Sequence, residues 1–469
     1  MAKYKETKVK NNNIAHKTAP KENTNFKKSK IPGLEVRLVA QRLLGAVIDK
    51  KTSLDGLTDY NNGHPLYLAL SVRDRALTRA ILASALRHRE LIEHALKNLL
   101  DRPLPENAHS LKQLLHIGAA QILYLDVPDH AAINLAVTAA KGDPRNSRFS
   151  GLVNALLRQF SRTKDDILAI DEIMTPAWFS NLLEKQYGPQ KAQEIIRAQT
   201  YEAPLDITIK DTKTNSAQLW AKKLNGIALA LDTVRLSEVD GVLTDLEGFT
   251  EGEWWVQDIA ASLPAYLMGD IKGKNVADLC AAPGGKTAQL VKAGAHVTAL
   301  DISKNRLKRL QENMTRLQFN ITTVNSDIKN YNPDKLFDAV LLDAPCSSTG
   351  TIRRHPDILY TKDINDVIKL ADVQRELLDH AVRLTKPGGV IVFSNCSLAH
   401  EEGENLIKEY LSKTKNVALS PIQTTELPGL EFLIQKNGTL RSTPADLPNE
   451  IARLSGMDGF FAARLIKQS

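Results

Sequence analysis

Through the first third of the chain, apolar residues recur at three- and four-residue spacing. Segments 36–48, 74–100, 111–125, 130–140 and 148–162 each carry the stripe of an amphipathic helix, joined by connections short enough for a bundle. This predicts an all-α domain over 34–165. From 166 the period changes. Segments 175–188 and 189–199 still read as helices, but 205–210 alternates as a half-buried strand does, 216–224 is helical again, and 227–231 and 234–237 are short strands. A small α/β module over 166–245 is expected. Beyond 246, strand signals at 275–280, 296–301, 321–327, 337–346 and 389–397 are separated by helical ones at 285–292, 304–318 and 366–384. Such alternation predicts a doubly wound, Rossmann-like α/β domain over 246–469. Its parallel sheet should be covered by helices on both faces and end in an antiparallel strand at 458–466.

The strands at 337–346 and 389–397 are alike, because each breaks off at a cysteine, Cys346 and Cys396. The helix between them makes the pair a right-handed strand-helix-strand crossover, so both cysteines emerge at one edge of one sheet. Open α/β sheets bind ligands at that edge. The third cysteine of the chain, Cys280, ends the strand at 275–280. An odd number of cysteines, none before 280, argues against a disulfide framework, and no Cys/His cluster has zinc-ligand spacing, so no metal is expected.

Length and charge add less. A chain of 469 residues needs more than one core. No run approaches the roughly 18 apolar residues of a membrane span, and Met1-Ala-Lys-Tyr-Lys is not followed by the apolar core of a secretory leader, so a cytoplasmic protein away from membranes is expected. The formal charge of +7 resides wholly in 1–33, where nine lysines face Glu6 and Glu22. That segment reads as a basic disordered tail, either a solvated leader or an arm drawn to RNA phosphates. The balanced body has at most a local basic patch, and Arg353-Arg354-His355 is the candidate to hold phosphates there. Trp178, Trp220, Trp254 and Trp255 are expected in cores rather than as base-stacking platforms.

Candidate chemistry gathers at the strand ends. Asp278-Leu-Cys-Ala-Ala-Pro-Gly-Gly-Lys-Thr287 is a glycine-bearing turn from strand to helix, in which Cys280, Ala281, Ala282, Pro283, Gly284, Gly285 and Lys286 offer backbone to a ligand. It is not Gly-x-Gly-x-x-Gly, so no pyrophosphate is required. Asp301, ending the next strand, suits two ribose hydroxyls, and Asp327, ending the third, an adenine amino group. A nucleoside without phosphate fits, and S-adenosylmethionine is the common one. The cysteines then suggest a reaction. Carbon 5 of a pyrimidine is a poor nucleophile until a thiolate adds to carbon 6. Asp343, in Asp343-Ala-Pro-Cys346, is placed to stabilise charge developing near N3, and a second cysteine can help to expel the first. On these residues alone, either cysteine could make the attack.

The motifs Asp278–Thr287, Asp343-Ala-Pro-Cys-Ser-Ser-Thr-Gly350, Arg354-His-Pro-Asp357, Lys386-Pro-Gly-Gly389, Asn395-Cys-Ser397 and Asp458-Gly-Phe-Phe461 together resemble the RNA cytosine-C5 methyltransferases of the NOL/NOP/Sun type. In the front domain, 115–134 and Gly151-Leu-Val-Asn-Ala-Leu-Leu-Arg158 resemble the RNA-binding NusB fold, although Leu135 stands where glutamate is usual after asparagine. The combination is similar to the branch of the family that acts on 16S rRNA. It implies an adenosylmethionine-dependent enzyme making 5-methylcytosine, with Cys396 as nucleophile, Cys346 assisting release and RNA as partner, working as a monomer. Asn395 replaces the usual threonine before the nucleophile, which implies altered loop packing with the cysteine intact. The same chemistry on tRNA, or a non-catalytic RNA-binding assembly factor, are the alternatives.

Overall fold

A computed structural model describes residues 31–468 apart from 172, 212, 214, 239 and 240, so all but the last residues of the basic tail lie outside it. The helical third is built as its apolar period requires. Helices Leu34–Lys50, Val72–Arg87, Arg89–Leu99, His109–Tyr124, Asp129–Gly142 and Ser150–Arg162 surround a core that includes Leu43, Leu44, Ile81, Leu114 and Leu157. The single helix expected over 74–100 is two, broken at His88, which lies at φ −108° and stacks on Tyr124 with ring centroids 3.6 Å apart. Leu135, the departure from the NusB pattern, packs against this core.

The middle segment is shared between its neighbours. Helices Ala177–Tyr187 and Pro189–Gln199 pack through Phe179, Leu183 and Ile195 onto Ile352, Ile358 and Leu398, all beyond residue 246. The small sheet has the order β2-β3-β1-β4, all antiparallel, with β1 Leu205–Ile209, β2 Gly226–Ala228, β3 Thr233–Leu236 and β4 Trp254–Val256. Its fourth strand thus comes from past the 245/246 boundary expected from sequence. A buried pair, Arg235 bidentate on Asp206 at 2.7 and 2.8 Å, fastens β3 to β1. Trp254 and Trp255 are buried, as expected of core residues.

The remaining strands form one sheet. They are β5 Asn275–Leu279, β6 His296–Asp301, β7 Thr322–Asn325, β8 Phe337–Asp343, β9 Thr385–Asn395, β10 Val417–Leu419, β11 Leu440–Ser442 and β12 Phe460–Lys467. The order is β10-β12-β9-β8-β5-β6-β7, with β11 also paired to β12; β9 through β7 are parallel, and β12 runs antiparallel to β9. The chain order reverses between β5 and β8, so the crevice for a ligand opens there. Helix Ile364–Leu384, started by an Asp363–Asp366 capping box, supplies the crossover between β8 and β9 and buries Leu377, Leu378 and Ala381 on one face of the sheet. Helix Ile259–Tyr266 covers the other face.

The front domain docks on the loop that leaves β8. The Leu54 N–H donates to Asp357 Oδ2 at 2.9 Å, His355 Nδ1 lies 2.8 Å from Asp55 Oδ2, and Arg87 donates to the Arg353 carbonyl at 2.8 Å. Burial disfavours a charged His355, but the hydrogen bond and charge of Asp55 outweigh it and raise its pKa.

Candidate active site

Three strand ends and two loops build the site. β5 passes into the glycine-bearing turn through Cys280, which takes a left-handed φ of 62°; Ala282-Pro283 is a cis peptide, and Gly284 at φ 105° precedes helix Gly285–Lys292. The Ala281 N–H bonds the Leu300 carbonyl at 2.9 Å, and the Ala282 N–H donates to Asp301 Oδ2 at 3.3 Å, so the turn folds over the end of β6. Burial, with the charges of Asp343 and Asp301, pushes the Cys280 thiol up to about 12. It therefore stays protonated and serves as turn rather than nucleophile.

The carboxylates take different positions. Asp301 is almost fully buried; Oδ1 accepts the Ser303 N–H at 2.8 Å, and Arg306 lies 3.5 Å from Oδ2. Asp327 falls two residues past the end of β7 rather than on it, and its carboxylate caps the turn Ile328–Asn330 by accepting the Lys329 N–H at 2.9 Å. Asp343 ends β8 and accepts Lys286 Nζ at 2.8 Å on Oδ2 and Ser394 Oγ at 3.0 Å on Oδ1. The Lys286 ammonium also sits over the Phe460 ring, 4.7 Å from its centroid. Beneath the turn, Asp278 is wholly buried and bonded by Thr287 Oγ1 at 2.6 Å, while Oδ1 lacks a partner; burial pushes its pKa up to about 7.

Both half-buried cysteines emerge at the same edge. Cys346 Sγ and Cys396 Sγ lie 3.3 Å apart as free thiols, and Cys346 Sγ is 3.8 Å from Ser348 Oγ. Their environments differ. A hydrogen bond from Cys346 lowers the pKa of Cys396 against the effect of burial, helped by Ser348 and Lys286. The same hydrogen bond, burial and the charges of Cys396 and Glu402 raise Cys346 well above the ordinary thiol range. At this distance either thiol can donate to the other, and their surroundings bias Cys396 toward the thiolate. Asn395, where the pattern expects threonine, is buried; its Nδ2 donates to the Glu402 carbonyl at 2.6 Å and its Oδ1 accepts the Ser397 N–H at 3.0 Å. Asn395 thus ties the loop that carries Cys396 to the Glu402 main chain.

The basic triplet is a correction. Arg353 is buried and bonded to Ser455 O and to Asp458 at 3.0 and 3.3 Å. Arg354 joins Asp458 and Asp258 at 2.9 and 2.6 Å, and His355 is on Asp55. These side chains fasten the loop after Cys346 to the start of β12 and to helix Ile259–Tyr266; with their charge spent internally, they are not a phosphate grip. Three contributors escaped the sequence reading. Glu402 and Gln374 look like surface residues of helical segments, and Ser394 like an ordinary strand residue. Only the β8–β9 register, which sets Asp343 opposite Ser394, could have exposed the last.

The donor set suits an adenosyl sulfonium compound. Asp301 and Asp343 stand beside the turn, whose backbone is open to a neutral nucleoside, and Arg306, the arginine bonded to it, is tied to the Ala282 carbonyl and Asp301. No helix among the described residues is long and apolar enough to cross a membrane.

Comparison with known proteins agrees with this geometry. The profile of the 16S rRNA methyltransferase RsmB/F family matches residues 265–466, and that of the NusB family matches 34–162. The chain is 31% identical over 457 residues to ribosomal RNA small subunit methyltransferase B of Cronobacter sakazakii, covering 93% of this chain and 99% of that protein. It is 32% identical to the protein of that name from Salmonella paratyphi B, over 92% and 99%. Among solved structures, PH0851 superposes with a TM-score of 0.67 at 23% identity over 94% of this chain and all of that one, which shows the shared fold. A methyltransferase homolog protein from Pyrococcus horikoshii gives a TM-score of 0.50 at 26% identity over 65% and 98%. An all-α NusB domain followed by an α/β methyltransferase domain, with the cysteine pair at its sheet edge, makes this chain a member of the ribosomal RNA small subunit methyltransferase B family, whose methyl donor is S-adenosylmethionine.

Proposed function

We propose that this protein transfers a methyl group to carbon 5 of a cytosine in 16S rRNA through a covalent adduct between Cys396 and carbon 6. The observation that carries this reading is the 3.3 Å approach of two free thiols at the sheet edge where Lys286 is bonded to Asp343. The Cys396 thiolate adds to C6, opening the C5–C6 double bond and moving electron density toward N3 and C5. Asp343 already accepts two hydrogen bonds, so the positive charge close to the base comes from Lys286, which Asp343 holds in place. The turn 280–286 and the carboxylates of Asp301, Asp327 and Asp343 would hold S-adenosylmethionine, which would supply an electrophilic methyl group there. After transfer, the C5 proton is lost to solvent, the C–H electron pair restores the double bond, and the C6–S bond breaks. Cys346 promotes that departure by donating its S–H to the leaving Cys396 thiolate. Helix ends of the front domain meet the RNA phosphates.

Alanine variants incubated with 16S rRNA and labelled donor test this. Cys346→Ala should accumulate an RNA–protein adduct that survives denaturation, and Cys396→Ala should give neither adduct nor product. The reverse pattern overturns the assignment. Bisulfite sequencing of rRNA and tRNA from a strain lacking the protein separates an rRNA target from a tRNA target.

A further inference from the structure

Behind the two thiols lies a carboxylate that the reaction outlined above does not use. Glu402 is fully buried, as are Ser347, Ser397 and Gln374 around it. Its Oε1 accepts the Ser347 backbone N–H at 2.9 Å and Gln374 Nε2 at 2.8 Å. Its Oε2 accepts the hydroxyls of both Ser347 and Ser397. Those two residues directly follow Cys346 and Cys396, so one carboxylate holds both cysteine loops from behind. Asn395 fixes the Glu402 main chain in turn. Among the described residues no lysine or arginine pairs with Glu402. The nearby guanidinium of Arg441 is committed to Glu404 and to the Ser397 carbonyl. The charged groups around the thiol pair are Lys286 and Asp343 on the crevice side and Glu402 behind, with the buried Arg441 acting on Glu402 through its charge.

We propose that Glu402 is a positioning residue that sets the spacing of the two thiols and keeps the proton on Cys346, so that Cys396 takes the thiolate. The inference rests on the reading of Cys396 as nucleophile. The geometry is asymmetric: Glu402 binds Ser347 through both its N–H and its hydroxyl but Ser397 through the hydroxyl alone, so its negative charge bears more on Cys346, while at Cys396 Lys286 favours a thiolate and Asp343 opposes it. Burial raises the pKa of Glu402 itself, but four donors pull the other way, and all four are satisfied only by a carboxylate acting purely as acceptor.

The test is Glu402→Gln in the full-length protein, which preserves shape and removes charge. Alkylation of each cysteine by iodoacetamide, followed by peptide mass spectrometry across pH, reads the thiols without requiring turnover. In the parent protein Cys396 should react at lower pH than Cys346. In Glu402→Gln the Cys346 midpoint should fall by about one pH unit, narrowing the gap. The kcat should drop about tenfold or more, with the KM for adenosylmethionine unchanged. Glu402→Asp, which keeps the charge but shortens the arm, should retain the thiol gap and still lose kcat. A folded Glu402→Gln protein with both midpoints unmoved overturns the proposal, whatever its activity. Should Glu402→Gln fail to fold, the paired hydroxyl deletions Ser347→Ala and Ser397→Ala must lower kcat without weakening cofactor binding, and unchanged kcat overturns it. If Cys346 were instead the nucleophile, adduct trapping would report it while the alkylation profiles still reported on Glu402.

Discussion

Replacing Gly350 by alanine perturbs the site through space alone. Gly350 follows Cys346 by four residues and does not adopt a positive φ, so alanine is conformationally allowed there. A Cβ, however, would lie 2.1 Å from the Gly459 carbonyl oxygen and 2.6 and 2.7 Å from its carbon and Cα, where ordinary contact begins at 3.4 Å. All three obstacles are backbone, so no rotamer change relieves them, and the two loops must part by about 1 Å. Gly350 also donates its N–H to the Cys396 carbonyl and accepts the Gly459 N–H, both at 2.9 Å, so the displacement passes directly to the cysteine loop. Overpacking of this kind costs about 1–3 kcal/mol, and a misplacement near 1 Å can cost about a hundredfold in rate. Labelled methyl transfer at saturating RNA should therefore show kcat reduced about a hundredfold. Calorimetric affinity for adenosylmethionine should change less than about twofold, because Gly350 does not touch the turn 280–286. A folded Gly350→Ala protein with the parent kcat would refute the claim that the loop contact sets thiol geometry.

Two further predictions concern pH. Asp278 has its pKa raised to about 7 from 3.8, so the folded state keeps a proton that the unfolded chain releases. Its favourable contribution is present below about pH 4 and is lost as pH rises to 7, a swing of about 4 kcal/mol. Asp278→Asn should abolish that swing, and urea denaturation at pH 5 and 8 should show the variant gaining on the parent at the higher pH; parallel behaviour would sink the idea. In the front domain, His116 and His88 are pushed down to about 3 by burial, with the charges of Arg89 and Arg87 adding to it. Depressed pKa values stabilise above the unfolded value near 6.5 and are lost as pH falls, so acidification to pH 5 should cost up to about 2 kcal/mol at His88 and less at His116, where the Glu93 carboxylate 3.4 Å from Nε2 favours the charged ring. Hydrogen exchange corrected for intrinsic rates should show helix His109–Tyr124 losing protection at pH 5 before strands β5 to β9 do. Equal protection loss in both regions would contradict this.

The sheet was readable because each long strand had an unbroken apolar run and each crossover helix an unbroken stripe. Strands β4, β10 and β11 were not, since three residues carry no period and their partners lie far along the chain. The break at His88 was hidden because the stripe runs through it while the cause, a stacked ring at Tyr124, is tertiary. At the site, topology alone brings Cys346 and Cys396 to one edge, so they could be found by counting strand ends. Glu402 could not, because Glu401-Glu402 reads as solvated surface until the loops fold over it. Arg353 and Arg354 show the converse error. Their charge is visible in the sequence, but the aspartates that consume it, Asp258 and Asp458, come from about a hundred residues away on either side.

The loops that carry the cysteines are also where the other parts of the chain attach. From the middle segment, Tyr187 donates to the Leu398 carbonyl at 2.7 Å, Gln186 accepts the His400 N–H at 2.8 Å, and Gln199 donates to the Thr349 carbonyl at 3.2 Å. From the front domain, Leu54, Asp55 and Arg87 hold residues 353–357, downstream of Cys346. Other contacts reach the outer helices, where Arg309 pairs with Asp59 of the front domain, Lys210 donates to the Leu317 carbonyl at 2.6 Å, and Lys292 pairs with Asp232 at 2.8 Å. Through these contacts the front domain, the middle segment and the sheet edge that carries the two thiols are held in one frame. The placement of the front domain relative to Cys396 is thus set by direct hydrogen bonds, buried at Leu54–Asp357, rather than by a flexible linker.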